Sequence, residues 1–495
     1  MDPDLLSSAA AAGGVRGSPL PDISGLTADS REVRPGYLFA ALPGNKLDGR
    51  RFIADAVTRG AVAILTDDAQ DLDALRMDGG PVAIVTDPNP RRRLALMAAR
   101  FHAPQPHTIA AVTGTSGKTS VAAFARQLWQ SVGRPAASLG TLGIVAPGFV
   151  RPGALTTPDP VTLHRELAEL ARAGIDHVAL EASSHGLDQY RLDGLAITIA
   201  AFTNLSHEHL DYHPTMAAYF AAKSRLFADL LPPGGTAVLN ADAGEFAALA
   251  AIARRRGHRI IAYGRAESAD LRLVDAAFER GHLVLALRIL GREATVTLRH
   301  LAGDFQAMNA LAAFGIALAS GCRADDLLTA MAELDSVPGR MQRVATHPDG
   351  APIYVDYAHK PDALQTVLTA LRPHVGGRLV VVFGCGGDRD AGKRPIMGDI
   401  AHRLADTVIV TDDNPRGERP EAIRATILAA CPGAREIGDR RAAIRTAIAE
   451  LAPDDLLVIA GKGHESGQIV GKTVHPFDDA VVAREIVAEM TRTAP

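Results

Sequence analysis

Short apolar runs alternate with longer Ala-, Leu-, Glu- and Arg-rich runs through most of the chain after residue 107. A run of helical period, SVAAFARQLWQSV, follows the first apolar run. Apolar strands separated by amphipathic helices are typical of parallel sheets with crossover helices, so this pattern predicts an α/β fold. The apolar runs of the first series are TIAAVT (108–113), HVALEA (177–182), ITIAAFT (197–203), TAVLN (236–240) and RIIAYG (259–264).

A second series of apolar runs begins after the turn-like segment VPGRMQ (337–342). A segment with a mixed strand and helix pattern precedes both series and ends in the proline-rich FHAPQPH (101–107). The pattern therefore predicts three domains, at residues 1–103, 104–337 and 338–495. The apolar runs of the second series are PIYVDYA (352–358), RLVVVFG (378–384), TVIVTDD (407–413) and LLVIAGK (456–462).

Composition narrows the class of protein. The formal charge of −4 over 495 residues disfavours a polyanion-binding protein, and 4% aromatic residues offer few platforms for stacking bases. The cysteines Cys322, Cys385 and Cys431 are far apart, which argues against a disulfide framework or a thiolate metal site. The N-terminal residues lack the pattern of a signal peptide, and no apolar stretch is long enough to span a bilayer. We expect a cytoplasmic monomer that binds neither nucleic acid nor membrane.

The segment AAVTGTSGKTS (110–120) combines a strand end, a glycine turn and a helix start. In such a segment the backbone N–H groups and the helix dipole point to one place, which suits a phosphate. Its spacing, G-x-x-G-K-T, is a variant of G-x-x-x-x-G-K-T; a plain glycine turn with a surface lysine is the alternative. Lys118 would reach the terminal phosphates of ATP, and the Thr119 hydroxyl would bind Mg²⁺. The residues of this predicted phosphate loop are Gly114, Thr115, Ser116, Gly117, Lys118, Thr119 and Ser120.

Two further segments carry candidate metal ligands. Glu181 ends an apolar run, where ligands collect at the carboxyl edge of parallel sheets, and it could hold the same Mg²⁺ as Thr119; a solvated acid is the alternative. NLSHEHLDYHP (204–214) contains His207, His209 and His213. They could form a zinc site or be hydrated loop residues, or one of them could bind a second Mg²⁺.

Lys223 is surrounded by alanines and aromatic residues in AAYFAAKSRLF (217–227). The local sequence favours an exposed or snorkelling helix lysine. If the side chain were buried, desolvation would lower its pKa and expose a neutral amine. Such an amine can add CO₂ to give a carbamate, which offers two oxygens to a metal.

Three polar loops follow strands of the second series: GGDRD (386–390), DDNPR (412–416) and GKGHE (461–465). Parallel strands end at one sheet edge, so the three loops predict one site. The guanidinium of Arg416 can bind a carboxylate through two parallel hydrogen bonds, while Pro415 fixes the loop and Asn414 binds a neighbouring amine or carboxylate. The loop suits an amino acid with a second carboxylate; alternatively, Arg416 pairs with Asp412 or Glu418 to hold the turn.

Taken together, these segments resemble the motifs of the Mur ligases, and the resemblance covers nearly the whole chain in order. It implies an N-terminal α/β UDP-substrate-binding domain, a central P-loop ATPase-type parallel-sheet domain and a C-terminal Rossmann-like amino-acid-binding domain. It further implies ATP- and Mg²⁺-dependent addition of meso-2,6-diaminopimelate to UDP-N-acetylmuramoyl-L-alanyl-D-glutamate through an acyl phosphate, in peptidoglycan precursor synthesis. The segments are TGTSGKTS, TTPDP, EASSHGLDQYR, NLSHEHLDYH and AAKSRLF, with DSREVRPGYLFAALPGNKLDGRRF before them and VDYAHKPDAL, FGCGGDRDAGKRP, TDDNPRGE and AGKGHE after them.

The resemblance also implies roles for individual residues. The UDP end of the substrate would be held by Ser30, Arg31 and the loop at 48–50. The muramoyl dipeptide would be held by Thr156, Thr157, Ser184, Gln189 and Arg191. Two magnesium ions would be bound by Thr119, Glu181, His209 and carbamylated Lys223. The nucleoside and phosphates of ATP would be addressed by Asn309, Asp356 and Arg340. The added amino acid would be bound by Arg389, Asp413, Asn414, Pro415, Arg416, Gly461 and Glu465. His207 and Gln306 depart from the family's pattern and receive no role.

Four alternatives stay open at this point. Two are a lysine-adding ligase of the same family, although such relatives lack the arginine of D-N-P-R, and a folylpolyglutamate synthetase-like ligase. The third is a nucleotide-gated binding protein without ligase chemistry, which would have no use for Lys223 or the three loops. The fourth is a zinc hydrolase built on the histidines.

Overall fold

The computed structural model describes residues 15–16, 21–44, 48–68, 76–77, 80–153, 155–206, 208–209, 212–279 and 282–493. The chain divides into two compact units, the first formed by Met1–Ile261 with Ala319–Gly321 and the second by Ala262–Leu318 with Cys322–Pro495. Both units are built from sheets and helices, as the alternating pattern predicts. Within the described ranges, no helix combines the length and apolarity needed to cross a bilayer.

The first unit begins with a five-stranded sheet of order β1-β7-β4-β3-β2, in which β1 is antiparallel to β7 and the other pairs are parallel. Short 3₁₀ turns at Ser30–Glu32 and Gly49–Phe52 follow loops whose aspartates cap them. The elements are β1 (Val15–Arg16), β2 (Gly25–Thr27), β3 (Tyr37–Ala40), α1 (Ile53–Thr58), β4 (Ala61–Thr66), β5 (Arg76–Met77), β6 (Gly80–Pro81), β7 (Ala83–Thr86) and α2 (Pro90–Phe101).

A second sheet of the first unit carries the predicted phosphate loop. The strands of this sheet that lie wholly in the first unit follow the order β11-β10-β9-β12-β8-β13-β14, with parallel pairing from β9 to β14 and antiparallel pairing of β10 and β11 at the edge. Every apolar run of the first series forms a strand. The elements are β8 (Thr108–Thr113), α3 (Lys118–Ser131), β9 (Ala136–Gly140), β10 (Gly143–Ala146), β11 (Phe149–Arg151), α4 (Pro160–Arg172), β12 (His177–Glu181), α5 (Ser184–Asp188), β13 (Ile197–Phe202), α6 (Met216–Arg225) with a π-helical turn at Leu226–Leu230, β14 (Thr236–Asn240) and α7 (Phe246–Arg255).

The register of this sheet brings three strand ends together. Glu181 at the end of β12 lies opposite Val112 of β8, and Thr113 of β8 lies opposite Phe202 of β13. The strands are buried throughout their carboxyl halves, and apolar side chains such as Leu180 and Phe202 pack in the core beneath them. The loops that follow β8, β12 and β13 are therefore neighbours.

An antiparallel meander opens the second unit, after β15 (Arg259–Gly264), which spans the boundary between the units. Along β17 buried and partly exposed residues alternate, which is the pattern of a strand with one face in the core. The pattern of continuous apolar runs did not predict these strands, because their apolar residues alternate with polar ones. A buried parallel strand is apolar throughout. The elements are β16 (Leu271–Glu279), β17 (His282–Ile289), β18 (Arg292–Leu298), α8 (Asp304–Ala319) and α9 (Ala324–Met331).

A six-stranded sheet of order β19-β20-β24-β21-β22-β23 completes the second unit, and all its pairs are parallel except β19 with β20. All four runs of the second series form strands, and the loops after them emerge at one edge. The elements are β19 (Gln342–Thr346), β20 (Pro352–Asp356), α10 (Pro361–Leu371), β21 (Leu379–Phe383), α11 (Lys393–Leu404), β22 (Thr407–Val410), α12 (Pro420–Leu428), β23 (Arg435–Glu436), α13 (Arg440–Ala449), β24 (Leu456–Ala460), β25 (Gly467–Val470), β26 (Thr473–Pro476) and α14 (Asp479–Thr493).

Candidate active site

The predicted phosphate loop has the expected strand, turn and helix. Gly117 has φ of +87° and is followed directly by Lys118, the first residue of α3. Gly114 has φ of +145°, and a Cβ at this position would lie 1.9 Å from the Thr203 hydroxyl. Only glycine fits there, because β13 passes so close to the loop. Gly117 and the start of α3 form a site suited to an anion.

Residues at the end of β13 hold this loop in shape. The Thr115 amide donates to the Asn204 carbonyl at 2.8 Å, and the Ser116 amide donates to Asn204 Oδ1 at 3.0 Å. The Thr203 hydroxyl donates to the Ser116 carbonyl at 2.6 Å. Asn240 donates in turn to the Thr203 carbonyl at 2.7 Å. Sequence analysis assigned no role to Thr203, Asn204 or Asn240, although all three lie at the ends of apolar runs at the same sheet edge.

Two lysines share one carbonyl of the loop. Lys118 Nζ donates to the Gly114 carbonyl at 2.9 Å and to the Thr115 carbonyl at 2.7 Å. Lys223 Nζ donates to the same Gly114 carbonyl at 2.7 Å. Lys223 is only 1% exposed, so the exposed lysine that the local sequence favours is wrong. Burial lowers the pKa of Lys223 well below its ordinary value, and the charge of Lys118 lowers it further.

Aromatic and imidazole rings line the side of the loop next to Lys223. The Tyr219 ring lies 4.3 Å from Lys223 Nζ, and its hydroxyl is 3.2 Å from Thr115 Oγ1. His209 has φ of +57°, and its ring lies 6.0 Å from the Tyr219 ring and 4.9 Å from the His185 ring. A left-handed backbone conformation is uncommon for a non-glycine residue, and such residues cluster at functional sites.

The predicted zinc alternative finds no support in the part of the chain that the structure describes. His213 is buried and its ring lies 5.7 Å from that of His185. No group of three His, Cys, Asp or Glu side chains within the described residues could hold a metal ion by itself. His207, a member of the proposed zinc set, lies outside the described residues.

Glu181 is buried, with 2% exposure, and is oriented by a threonine from the neighbouring strand. Oε1 accepts from the Thr141 amide at 2.7 Å, and Oε2 accepts from the Thr141 hydroxyl at 3.2 Å. Gly140 permits this approach, since a Cβ there would lie 2.1 Å from Glu181 Oε1. The Thr141 hydroxyl also lies 3.1 Å from Thr156 Oγ1. The carboxylate thus sits in a polar pocket at the sheet edge.

The predicted dipeptide-binding residues form one network next to Glu181. The buried Thr157 hydroxyl donates to the Glu181 carbonyl at 2.8 Å. Arg191 donates to the Thr157 carbonyl at 2.7 Å and to Gln189 Oε1 at 2.8 Å. Gln189 donates to the Tyr212 hydroxyl at 3.2 Å, which adds a residue that the sequence did not single out. Ser184 is buried at the start of α5.

The candidate UDP-binding residues lie in the 3₁₀ turns of the first sheet. Ser30 is buried, whereas the Arg31 side chain is 84% exposed and pairs with Asp29. Arg50 pairs in the same way with Asp48, two residues earlier. Each aspartate also accepts the amide of its own arginine, so each turn is closed by its own capping aspartate.

In the second unit, the residues predicted to address the nucleoside are linked through Gln306. Asn309 donates to Gln306 Oε1 at 2.9 Å, and Gln306 donates to the Arg340 carbonyl at 3.1 Å. Asp356 accepts from the Met341 amide at 2.7 Å. Burial raises the pKa of Asp356 to about 6. Gln306, which received no role because it departs from the family's pattern, is buried and joins Asn309 to the segment of Arg340.

The loops after β22 and β24 meet around two buried polar residues. Asn414 Oδ1 accepts from Lys462 Nζ and from the Ile469 amide, each at 2.9 Å. Asn414 Nδ2 donates to Glu465 Oε2 at 2.9 Å. Asp413 Oδ1 lies 3.3 Å from Lys462 Nζ. The structure therefore brings together Asp413, Asn414 and Glu465, three of the residues predicted to bind the added amino acid.

Arg416 is held by main-chain oxygens rather than by an acid. Its Nη1 donates to the Gly387 carbonyl at 3.0 Å and to the Asn414 carbonyl at 3.4 Å. The alternative in which Arg416 pairs with Asp412 or Glu418 is wrong. Asp412 pairs instead with Arg424, and Glu418 pairs with Arg394 at 2.8 Å.

The three loops thus meet at the sheet edge, as predicted. Pro415 is buried, and a Cβ at Gly387 would lie 2.0 Å from the Pro415 carbonyl, so the GGDRD loop packs directly on the DDNPR loop. Gly461 has φ of +116° at the start of the third loop. Arg389 is exposed on the first loop. Lys462 belongs to the third predicted loop but was assigned no role, and Gln468 was not singled out; they fasten the third loop to Asn414 and to the Asp413 carbonyl.

Comparison with known proteins gives three family models in chain order. They are the Mur ligase family catalytic domain over residues 22–102, the Mur ligase middle domain over 112–317 and the Mur ligase glutamate ligase domain over 339–463. Their order confirms the predicted three-domain α/β fold class. The boundaries at 103/104 and 337/338 stay predictions.

Individual relatives cover almost the whole chain. The UDP-N-acetylmuramoyl-L-alanyl-D-glutamate–2,6-diaminopimelate ligase of Bradyrhizobium diazoefficiens is 56% identical over 92% of this chain and 93% of its own length. The ligase of the same name from Rhizobium meliloti is 52% identical over 94% of both chains. A solved structure of a ligase of that name is 35% identical, with a TM-score of 0.70, and the match covers 95% of this chain and 96% of that chain. The chain belongs to the Mur ligase family.

Proposed function

We propose that this chain is the ATP-dependent amide ligase that joins meso-2,6-diaminopimelate to UDP-N-acetylmuramoyl-L-alanyl-D-glutamate. One observation of the geometry carries the proposal. Asp412 and Glu418, the acids next to Arg416, are paired with other arginines, and in the described residues nothing accepts a hydrogen bond from Arg416 Nε or Nη2. Its positive charge is therefore available to a second carboxylate, which diaminopimelate has and lysine lacks. The names of the similar ligases support the same substrates.

The reaction requires that a weak electrophile be activated. An oxygen of the substrate's terminal carboxylate attacks the γ-phosphorus of ATP, the bond to the β-phosphate oxygen breaks, and ADP leaves. The amine nitrogen of diaminopimelate then attacks the acyl carbon, phosphate leaves with the C–O bond electrons, and the nitrogen loses a proton. In this scheme the backbone amides at Gly117 and the start of α3, together with Lys118, neutralise the phosphates, which would otherwise repel the anionic nucleophile.

The residues around the phosphate loop fit magnesium. Glu181 offers a buried carboxylate oriented by Thr141, Thr119 offers a hydroxyl at the start of α3, and His209 offers an imidazole. These are ligand types that Mg²⁺ accepts next to phosphates. Bound magnesium would withdraw charge from the transferring phosphoryl group.

Lys223 would complete this set as a carbamate. Its neutral amine adds to the carbon of CO₂, forms the N–C bond and releases one proton. The lowered pKa of Lys223 favours loss of its proton, and Lys118 leaves a cation close by to balance the new negative charge. An unmodified ammonium buried against Gly114 and the Tyr219 ring would carry a large desolvation cost.

The C-terminal loops would select the amino acid. Arg416 would bind the distal carboxylate, and Glu465 would attract an ammonium group. Thr156, Thr157, Gln189 and Arg191 would orient the dipeptide end of the acceptor. We further propose domain boundaries near residues 104 and 337, with a monomer acting in the cytoplasm, where nucleotide-linked precursors and ATP are both present.

A product assay tests the proposal. Purified protein is incubated with UDP-N-acetylmuramoyl-L-alanyl-D-glutamate, ATP, Mg²⁺ and either meso-diaminopimelate or lysine, and the products are identified by mass. We expect the diaminopimelate tripeptide, with one ADP and one phosphate per amide bond. A lysine product formed with equal efficiency would favour the lysine-adding ligase. ATP hydrolysis that is independent of both substrates would favour the nucleotide-gated binding protein.

A further inference from the structure

Lys462 is a fully buried cation at the centre of the three C-terminal loops, and its side chain is 0% exposed. Besides Asn414 Oδ1, its ammonium donates to the Gly467 carbonyl at 2.8 Å. It lies 3.3 Å from Asp413 Oδ1 and 3.9 Å from Glu465 Oε2. One ammonium thus joins the loop after β22, the loop after β24 and the start of the β25–β26 hairpin.

These contacts fix which way the Asn414 amide points. Lys462 and the Ile469 amide can only donate, so the atom that faces them must be the oxygen. The NH₂ group consequently faces Glu465 Oε2. Glu465 accepts one of its two protons, so this side of Asn414 presents a donor and not an acceptor. A donor on that side suits a carboxylate rather than an ammonium.

Lys462 also balances the charge of Asp413. Asp413 is 7% exposed, and its Oδ1 lacks a well-aligned hydrogen bond within the described residues. Lys462 is the cation within ion-pair distance of that oxygen. The other buried cation nearby, Arg440, already pairs with Asp479 at 2.7 Å. Burial lowers the pKa of Lys462, and Asp413 and Glu465 oppose that shift by favouring the charged form.

We propose that Lys462 is a positioning residue that sets the preference for an amino acid with a second carboxylate. It turns the donor side of Asn414 toward the ligand, and it cancels the negative charge of Asp413 beside the place where that carboxylate binds. This inference rests on the proposed function. Without Lys462, the negative charge of Asp413 would disfavour the second carboxylate of diaminopimelate. It would not disfavour free lysine, which lacks that carboxylate and carries one net positive charge.

The experiment compares two amino acids on one enzyme preparation. For the wild type, Lys462→Met and the matched control Lys472→Met, kcat/KM is measured with meso-diaminopimelate and with lysine. Lys472 is exposed in the turn of the adjacent hairpin. The ratio of the two kcat/KM values does not depend on how much of the preparation is folded. We expect the preference for diaminopimelate to fall about 10- to 50-fold in Lys462→Met, the Coulomb effect of one unit charge a few ångströms away, and to stay unchanged in Lys472→Met.

A double variant separates charge from simple structural damage. Asp413→Asn combined with Lys462→Met removes both charges, so the preference for diaminopimelate should recover. The logarithm of the kcat/KM ratio should return at least about half of the way from its value in Lys462→Met to its value in the wild type. An unchanged preference in Lys462→Met, a loss that the double variant does not restore, or complete loss of lysine turnover in Lys462→Met would each overturn the inference. Wild-type protein that forms no diaminopimelate product would contradict the proposed function itself, whichever result the variants give.

Discussion

Replacing Arg416 by alanine tests whether the loop after β22 binds the second carboxylate. Arg416 has φ of +51°, a conformation in which alanine is strained as much as arginine. Its main-chain bonds to the Ile469 carbonyl and the Gly471 amide do not involve the side chain. The substitution therefore removes the guanidinium and keeps the loop backbone. Loss of a desolvated bidentate contact costs about 2 to 5 kcal/mol, which is about 30- to 5000-fold in KM for diaminopimelate.

The assay is steady-state kinetics with each substrate varied in turn. The KM for ATP should change less than about twofold, because Arg416 lies on a loop assigned to the amino acid. Arg416→Lys should give an intermediate KM, since lysine keeps the charge but not the planar fork. Arg419→Ala is the matched control, because the Arg419 side chain is 86% exposed and only three positions away.

Two results would refute this reasoning. Equal increases in KM for ATP and diaminopimelate would show that Arg416 holds the domain rather than the ligand. The same increase in Arg419→Ala would show that the loop responds to any loss of positive charge. A lowered melting temperature in Arg416→Ala alone would not rescue the prediction, because KM is independent of the fraction of active enzyme.

Three further substitutions test the phosphate loop, the buried lysine and a buried ion pair. Gly114→Ala should weaken ATP binding at least about 100-fold by calorimetry, because the new Cβ would lie 1.9 Å from the Thr203 hydroxyl; near-normal affinity would contradict the tight approach of β13. Lys223→Met should lower ligase activity at least about 100-fold yet keep the protein folded. The folded state lowers the pKa of Lys223, so the unfolded chain binds that proton more tightly. The free energy of unfolding of the wild type should therefore rise as the pH rises toward 10.5, the ordinary pKa of lysine. Denaturant titrations of Lys223→Met should lack this rise. Arg440→Met should lower the free energy of unfolding by about 3 to 5 kcal/mol, because it leaves the fully buried Asp479 unpaired. The double variant Arg440→Met with Asp479→Leu should recover most of that loss. An equal loss in the single and the double variant would mean that Arg440 acts through its contacts to main-chain carbonyls.

The phosphate loop could be predicted from sequence because all its parts are consecutive. A buried strand, two glycines at positive φ and a helix start occupy residues 108–131, and each has a local signature. The same holds for the loops after β21, β22 and β24, whose strands read as continuous apolar runs. Local rules suffice when the chemistry and the element that positions it are neighbours in the chain.

Contacts that come from distant segments could not be predicted in this way. Asn204, which holds the Ser116 amide, lies 88 residues further along the chain. Thr141, which orients Glu181, belongs to a different strand loop, 40 residues away. Neither residue has a local signal beyond its place after an apolar run. Sheet register decides these pairs, and a single sequence does not reveal register across crossover connections.

The two buried lysines show why local sequence cannot assign a role to a charged side chain. Lys223 and Lys462 both donate to main-chain carbonyls and are both almost completely shielded from water. Among the described residues, no carboxylate lies within ion-pair distance of Lys223, and burial lowers its pKa well below the ordinary value. Lys462 faces Asp413, which favours its charged form and makes it an anchor for the loops. Asp413, 49 residues before Lys462 in the chain, thus distinguishes the positioning role of Lys462 from the chemical role proposed for Lys223. Removing the Asp413 carboxylate should shift the pKa of Lys462 in the same direction as that of Lys223. In Asp413→Asn the pKa of Lys462 should therefore fall further than in the wild type, and a pH titration of its side-chain NMR signal in both proteins would measure the difference; equal pKa values would contradict this role of Asp413.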